Sequence, residues 1–415
     1  MSSHANTDHA SPLDLSRWRG LPKQLMIGGG VLALLGALVN LQEFAFAWLL
    51  AFMFFLSLGL GGLFLTILHH LVDASWSVPV RRVNETFARL LPWMAALFIP
   101  IALLAPKYLY PWMQKLLHGE TDHALHAKYP LLTIPMFYVV AAICFGVWAF
   151  LARRLHHWSV KQDETGAVEC THKMRLLSYW GIFAFGFSMT LAVIMWMKAL
   201  QHQWFSTMYG VYYFAGSVWL TVATLYLVTM ILKQQGPLRD VVQEKQFYFI
   251  GSLLFAFTVF YAYVTFSQYF IIWNANMPEE TFFYVLRGQG TWWDVGMIII
   301  FGHFFVPFLA LLRIDLKLKF WWMAPLCAWA WLMHLCDMYF NIKPVLHPEG
   351  ISALWIWLDL GCLAFMGGFL AQRWLKIFNA HPPFPQKDPR FAEALGIYVP
   401  SASEPQPAAS HGGRP

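Results

Sequence analysis

Charged residues are scarce in this 415-residue sequence. Only 12% of the residues are Asp, Glu, Lys or Arg, whereas 58% are hydrophobic and the mean hydropathy is +0.50. So few charges cannot cover the surface of a water-soluble protein that carries this much apolar side chain. The composition therefore argues against a soluble enzyme and predicts an integral membrane protein. In that setting the net charge of +6 does not indicate nucleic-acid binding.

Cysteine is sparse as well. The five cysteines are scattered and form no Cys-x-x-Cys or Cys-x-x-Cys-His motif, at Cys144, Cys170, Cys327, Cys336 and Cys362. This spacing supports neither a thiolate metal site, an iron–sulfur cluster nor covalent haem attachment. We therefore expect no metal, haem or iron–sulfur cluster in this chain.

Long apolar runs dominate the rest of the sequence. A membrane-spanning helix needs about 20 predominantly apolar residues. Ten runs qualify, at 24–39, 44–70, 89–105, 131–152, 176–197, 211–232, 247–272, 292–312, 320–341 and 351–372. The sequence thus predicts an all-α membrane domain of about ten helices over residues 23–376. Polar, Pro-rich tails at 1–22 and 377–415 are predicted to be flexible.

The cations are distributed unevenly over the predicted loops. Of the 28 Lys and Arg residues, 22 lie in the two tails and in the loops on the same side of the predicted membrane. Because cytoplasmic loops carry the excess of Lys and Arg, both termini are predicted to be cytoplasmic.

Ionisable and polar residues occur inside the apolar runs, mostly toward the predicted extracytoplasmic half. Such residues are costly at membrane depth, and a group of them indicates a functional site. His334 and Asp337 share one face of the ninth span, and Asp359 and Lys198 have similar predicted depth. We expect these four to support proton transfer. The alternative is that the acids pair with His334 or Lys198 only to hold the helices together.

His303 lies near the centre of the eighth span. It is nine residues from Asp294, which puts the two on opposite faces of one helix. His303 is a further candidate for proton transfer, and its depth differs from that of the other histidines. Poor depth matching argues against a bis-histidine haem.

Aromatic residues are abundant, with 21 Trp, 16 Tyr and 36 Phe. Aromatic walls with a few polar groups suit a quinone headgroup and its prenyl tail. Tyr261 and Gln268 on the seventh span, with Trp293 and Asp294 on the eighth, are the predicted quinol pocket.

A second polar stripe ends the second span at its cytoplasmic side. His69, His70 and Asp73 follow helical spacing there, and they are candidates for the inner end of a proton path. The alternative is that these histidines only reach the membrane surface, as side chains near helix ends commonly do.

Four stretches carry a family resemblance. They are HHLVDASWSV at 69–78 followed by Arg81 and Arg82, WFSTMYG at 204–210, SQYFIIWNANMPEET at 267–281, and GHF at 302–304 followed by Pro307 and Phe308. Together they resemble the NrfD-like (polysulfide reductase C type) membrane subunits, in particular those of bacterial alternative complex III. The third stretch is the most specific, and the resemblance extends over about residues 22–376.

This resemblance implies ten helices containing two four-helix bundles, in a bacterial cytoplasmic (inner) membrane. It also implies a quinol:cytochrome c oxidoreductase with menaquinol or ubiquinol as substrate. The implied partners are a sister NrfD-like subunit and iron–sulfur and multihaem cytochrome c subunits on the periplasmic side. A secondary, ion- or proton-coupled transporter is the alternative, since ten spans with intramembrane Asp, Lys and His fit it as well.

Overall fold

The computed structural model describes residues 20–397, and within that range the chain is helical with no β-strand. In chain order the helices are α1 (Gly20–Val39), α2 (Leu41–Leu71), α3 (Val78–Ala88), α4 (Leu91–Leu97), α5 (Ile99–Leu104), α6 (Pro111–Leu117), α7 (His123–Ala127), α8 (Ile134–Thr165), α9 (Val168–Trp196), α10 (Tyr209–Gln234), α11 (Glu244–Ala275), α12 (Pro278–Arg287), α13 (Gly290–Ile298), α14 (Val306–Leu311), α15 (Ile314–Leu318), α16 (Phe320–Ile342), α17 (Ile356–Phe378) and α18 (Phe391–Ala394).

Nine helical segments of the described range are long and apolar enough to cross a membrane, and they confirm a multi-pass membrane protein. α16 is not among the nine, because polar residues and four tryptophans interrupt its apolar character. With 23 residues it is about 34 Å long, enough for a hydrocarbon core of about 30 Å.

The packing of α1 against α17 makes α16 the tenth span. Gly29 contacts the backbone of Phe365, and Gly368 contacts Pro22 and Met26, so the two helices run antiparallel. The start of α1 and the end of α17 therefore lie at the same end of the molecule, which requires an even number of crossings. We call this end the terminal side and the other end the distal side.

The remaining eight spans form two groups of four. α2, the segment α3–α5, α8 and α9 pack together, and α10, α11, the segment α13–α14 and α16 form the second group. The groups meet where α2 packs against α10 and α16, while α1 and α17 flank α2. α2 is consequently enclosed by protein along nearly its whole length.

The third predicted span, 89–105, is an interrupted helix rather than a continuous one. Pro92 and Pro100 lie at the starts of α4 and α5, and Pro106 lies in the π-helical turn Ala105–Leu109 that follows. Proline has no N–H and its ring crowds the preceding turn, so each one breaks the regular hydrogen-bond pattern.

The predicted flexible C-terminal tail is docked over its first part. Within residues 379–397, Asp388 and Ala394 are buried. The Gln386 N–H donates to Asp163 at 2.9 Å, and Ser75 donates to Glu393 at 3.0 Å. The segment is also held by apolar packing, since Phe384 stacks on Phe391 and packs against the hydrophobic core. Composition alone predicted flexibility because it does not show these contacts with the helix ends. The rest of both predicted tails, 1–19 and 398–415, lies outside the described residues.

Candidate functional site

Three buried side chains converge where the second helix group meets α2. His334 and Asp337 come from adjacent turns of α16, and His303 comes from the segment between α13 and α14. One nitrogen or oxygen atom of each residue lies within 4.8 Å of those of the other two. We call this set the central cluster.

A π-helical segment, Ile299–Phe305, delivers His303 to this cluster. Segments of this kind are frequent at functional sites, because the extra residue per turn redirects side chains. Gly302 permits the close approach to α16, since a Cβ at this position would lie 2.4 Å from Sδ of Met333. Pro307 follows one turn later, where its missing N–H loosens the regular pattern.

His303 is held by stacking rather than by hydrogen bonds. Its ring lies between the indole of Trp219 and the phenol of Tyr261, with centroid distances of 3.8 and 3.7 Å. Neither ring nitrogen has a hydrogen-bond partner among the described residues. Unpaired buried nitrogens cost about 1–3 kcal/mol each. Stability alone gives no reason to keep them.

Two tyrosines hold the carboxylate of Asp337. Tyr212 and Tyr261 both donate to its Oδ1 atom, Tyr261 at 2.8 Å. Asn341 in turn donates to the Tyr212 hydroxyl at 2.7 Å, and Tyr209 donates to Asn341 at 2.9 Å. A chain of hydrogen-bonding groups thus leads from Asp337 toward the distal side.

Arg287 closes the distal end of this chain. Its guanidinium donates to the carbonyl of Asn341 at 3.0 Å and to the side chain of Gln201 at 3.0 Å. Burial lowers its pKa to about 10. Through these hydrogen bonds Arg287 holds α12 over the end of α16. The sequence did not predict this role, because Arg287 lies in a predicted loop.

His334 connects the cluster to α2. Its Nε2 lies 3.0 Å from Oγ of Ser57, and its Nδ1 has no partner among the described residues. Gly216 of α10 leaves room for the ring, because a Cβ there would lie 3.2 Å from Cε1 of His334. Two further hydroxyl groups, those of Ser217 and Thr221, lie along α10 toward the terminal side. Each donates a hydrogen bond to a backbone carbonyl.

The central cluster offers the donors of a metal site. Two imidazoles and one carboxylate are ligands that zinc and non-haem iron(II) accept. The sequence predicted no metal site from the scattered cysteines, and it argued against a bis-histidine haem because His303 and His334 were placed at different depths. The π-helical segment and the close packing at Gly302 bring the two together.

Asp359 does not belong to this cluster, contrary to the sequence-based grouping. Its carboxylate lies 2.6 Å from Nζ of Lys343 and accepts a hydrogen bond from Tyr339 at 2.5 Å. Glu43 lies 3.9 Å from Nζ of Lys343, and its Oε1 atom lies 2.7 Å from Nε2 of His347. Glu43 and Lys343 were not predicted as site residues, because both flank apolar runs and a charged residue in a predicted loop gives no indication of burial.

Lys198 is likewise separate from Asp337. It follows the end of α9 and lines a pocket of about 190 Å³ together with Lys128 and His202. Burial, followed by the neighbouring charge of Lys128, lowers the pKa of Lys198 to about 7. The four residues predicted to share one site therefore lie in three separate sites. His334 and Asp337 lie together, whereas Asp359 pairs with Lys343 and Lys198 lies beside Lys128.

The predicted quinol pocket is not assembled. Tyr261 and Gln268 are buried on one face of α11, where Gln268 donates to Tyr284 at 2.9 Å and accepts from Ser206 at 2.7 Å. Trp293 is 54% exposed, and Asp294 is exposed as well. The indole buried at this turn is that of Trp292, because the helical register turns Trp293 outward.

The terminal side contains a buried charge network that includes His69. Arg81 contacts Nε2 of His69 at 3.1 Å, Glu85 at 2.9 Å and Asp388 at 2.5 Å. Arg82 pairs with Glu85 at 2.9 Å and with Asp163. His70 is buried, and neither of its ring nitrogens has a hydrogen-bond partner within the described range. The centroids of the His69 and His70 rings are 4.8 Å apart.

Asp73 lies at the rim of this network, exposed, with Arg175 at 2.9 Å and Arg390 at 2.6 Å. The structure thus brings His69 and His70 together and leaves Asp73 outside. The sequence marked Arg81 and Arg82 only as part of a motif and did not predict this ion-pair network. Their acidic partners lie in predicted loops or in the C-terminal tail, and these are Glu85, Asp163 and Asp388.

No protein-family model matches this chain, and no curated protein matches it. The resemblance to NrfD-like subunits therefore stays a prediction from the sequence. The function must be argued from the geometry of the site.

Proposed function

We propose that this protein is a proton-conducting membrane subunit of a quinol:electron-acceptor oxidoreductase. The central cluster carries the proposal: two imidazoles with unpaired nitrogens face a carboxylate inside a membrane domain. Imidazole and carboxylate groups are the usual side chains for taking up and passing protons. Intramembrane groups of this kind mark proton relays in pumps and transporters.

The proposed path has two arms. On the distal side, Asp337, Tyr212, Asn341 and Tyr209 form successive hydrogen bonds. On the terminal side, Nε2 of His334 lies within hydrogen-bond distance of Ser57, and Ser217 and Thr221 add hydroxyl groups farther along α10. We propose that this arm continues to His70 at the terminal end of α2. In this scheme His303 and His334 exchange a proton with Asp337, directly or through one water molecule.

The redox part of the proposal rests on the sequence resemblance. Menaquinol or ubiquinol releases two protons when it is oxidised, and electrons leave through iron–sulfur and multihaem cytochrome c partners on the periplasmic side. A sister NrfD-like subunit completes the membrane part. The excess of Lys and Arg on the terminal side supports a cytoplasmic position for both termini in a bacterial inner membrane.

Co-purification tests the class of protein. A tag on the full-length chain, followed by extraction from native membranes, should recover haem-containing and iron–sulfur-containing subunits at constant ratio. Visible and electron paramagnetic resonance spectra report both groups. Recovery of the chain alone, with substrate uptake in proteoliposomes, would instead favour a secondary transporter.

Replacing Asp337 by Asn tests the relay. Asparagine keeps an acceptor for Tyr212 and Tyr261 but cannot exchange a proton at neutral pH. We expect the complex to assemble with intact partner cofactors and to lose proton translocation by about 10²-fold or more, the effect typical of removing a positioned proton donor or acceptor. Turnover and pH change are measured in proteoliposomes.

Asp240→Asn is the control, because Asp240 is exposed and lies outside the spans and outside the predicted sites. It should leave both quantities unchanged. Unaltered proton translocation in Asp337→Asn would contradict the proposal. A stoichiometric transition metal in the purified complex, lost in His303→Ala and His334→Ala, would instead assign the cluster to metal binding.

A further inference from the structure

The pocket beside Lys198 combines the amines of two lysines with an apolar lining. It lies where the loop before α8 meets the end of α9, and its remaining walls are Leu131, Leu132, Ile194, Ala199 and His202. Lys198 is only 9% exposed. α9 ends at Trp196, so the pocket lies at the distal end of the membrane-spanning segments.

No carboxylate neutralises the two lysines. Among the described residues, the charge that acts on Lys198 is that of Lys128. Lys128 donates to the backbone carbonyls of His202 and Trp204. The nearby Asp122 accepts from Lys115 at 3.0 Å and His202 at 2.8 Å. The two amines lie side by side, and each opposes the charge of the other until an anion binds between them.

An apolar stripe leads from the pocket along α9. Counting back from Ile194 at intervals of seven, four and three residues gives Phe187, Phe183 and Trp180. These spacings place all four residues on one face of the helix. Their side chains are 73%, 65% and 74% exposed. This face runs from the pocket toward the middle of the membrane-spanning segment.

We propose that the pocket binds the phosphate of an anionic phospholipid, whose acyl chain lies along the Phe187–Phe183–Trp180 face. The two lysines supply the positive charge, and the stripe supplies the apolar contact area. A quinone headgroup is neutral and leaves both charges uncompensated, so it fits the pocket less well. Hydrogen bonds between lysine and phosphate are charge-assisted and therefore strong, whichever side of the membrane the headgroup lies on.

Lys128 and Lys198 should act together in lipid retention. Native mass spectrometry of the full-length protein in detergent, with added phosphatidylglycerol or phosphatidylcholine, measures the lipid that stays bound. Each lysine near a headgroup contributes about fivefold in affinity, so the Lys128→Gln/Lys198→Gln double variant should retain at least about tenfold less phosphatidylglycerol. Lys198→Arg keeps the charge and should retain it.

Lys107→Gln is the control, an exposed lysine on the same side of the molecule. It should bind phosphatidylglycerol as the unmodified protein does. Equal retention in the double variant and this control would overturn the proposal. Equal retention of phosphatidylcholine, or displacement of the lipid by millimolar inorganic phosphate with no preference for the lipid, would overturn it too. If the double variant fails to fold, the comparison of Lys198→Gln with Lys198→Arg decides.

Discussion

Individual residues of the central cluster combine strict packing with incomplete hydrogen bonding. The rings of His303 and His334 are fixed by aromatic neighbours and glycines, while three of their four nitrogens have no partner among the described residues. An interior selected only for stability pairs such atoms. The cluster is therefore positioned tightly but left chemically open, as a proton-exchanging site requires.

Gly302→Ala should disturb the cluster without touching its chemistry. A Cβ there overlaps Sδ of Met333 and crowds the indole of Trp329, so these side chains or the π-helical segment must shift. A shift of the segment carries His303 with it. We expect a loss of about 1–3 kcal/mol in stability together with reduced proton translocation. Thermal unfolding in detergent and proteoliposome assays measure the two effects.

Gly296→Ala is the control for this substitution, because its Cβ would meet only ordinary contacts with Phe340. Proton translocation that falls equally in both variants would contradict a specific role for Gly302. Loss of stability without loss of translocation would place its role in packing alone.

Asp359→Asn should behave differently from Asp337→Asn. It leaves Lys343 buried with only Glu43, 3.9 Å away, in a low-dielectric environment. Breaking such a pair costs about 3–5 kcal/mol, so the variant should unfold at lower temperature. A second change, Lys343→Met, should restore much of the stability by removing the stranded charge. Normal thermal stability with lost translocation would instead return Asp359 to the proton path.

At the scale of elements, the docked segment 384–397 connects the terminal ends of three spans. Asp388 contacts Arg81 of α3 at 2.5 Å, Lys387 donates to the carbonyl of Glu164 in α8, and the side chain of Gln246 in α11 donates to the carbonyl of Ala394. A segment held mainly by charged groups should respond to pH.

Acid should release this segment. Burial raises the pKa of Asp388, but its hydrogen bond with Arg390 and the charges of Arg81 and Arg390 outweigh burial and hold the pKa below the usual value. The stabilisation is therefore complete above the ordinary carboxyl pKa of about 3.9 and is lost as pH falls below it. Limited proteolysis in this segment should accelerate in acid.

Asp388→Asn should cause the same acceleration at neutral pH. Asp315→Asn, which removes an exposed pair with Arg313, is the control and should change nothing in this segment. Equal protection of the segment in all three proteins would show that its ion pairs do not hold it in place.

The sequence predicted the elements better than their contacts. Apolar runs located all ten spans, since burial in lipid requires about 20 apolar residues regardless of the neighbours. It did not predict that His303 joins His334, because this depends on a π-helical segment and a glycine contact between distant elements. Nor did it predict the pairing of Asp359 with Lys343, which becomes visible only when the helix ends are assembled.

For the whole molecule, the even number of crossings makes a topology test direct. Thr165 in the α8–α9 turn is on the terminal side, and Gln289 between α12 and α13 is on the distal side; both are exposed. With the terminal side in the cytoplasm, an impermeant thiol reagent added outside spheroplasts should label Gln289→Cys and spare Thr165→Cys.

Ser403→Cys, beyond the described residues, should behave like Thr165→Cys, because both lie on the side predicted to face the cytoplasm. The native cysteines give little background, since four are buried and Cys336 is half-buried. Labelling of Thr165→Cys from outside would reverse the proposed orientation.

The enclosure of α2 has a consequence for biogenesis. Helices enter a membrane in the order of their synthesis, so α2 is the second to enter. Ser57 of α2 contacts His334, which is synthesised 277 residues later. Until α10 and α16 arrive, the α2 surface that later meets them must face lipid or an insertion chaperone. Chains truncated after α9 should therefore hold the first helix group together while exposing Ser57. Membrane quality-control proteases can act on the exposed surface of α2 in the time before α10 and α16 are inserted.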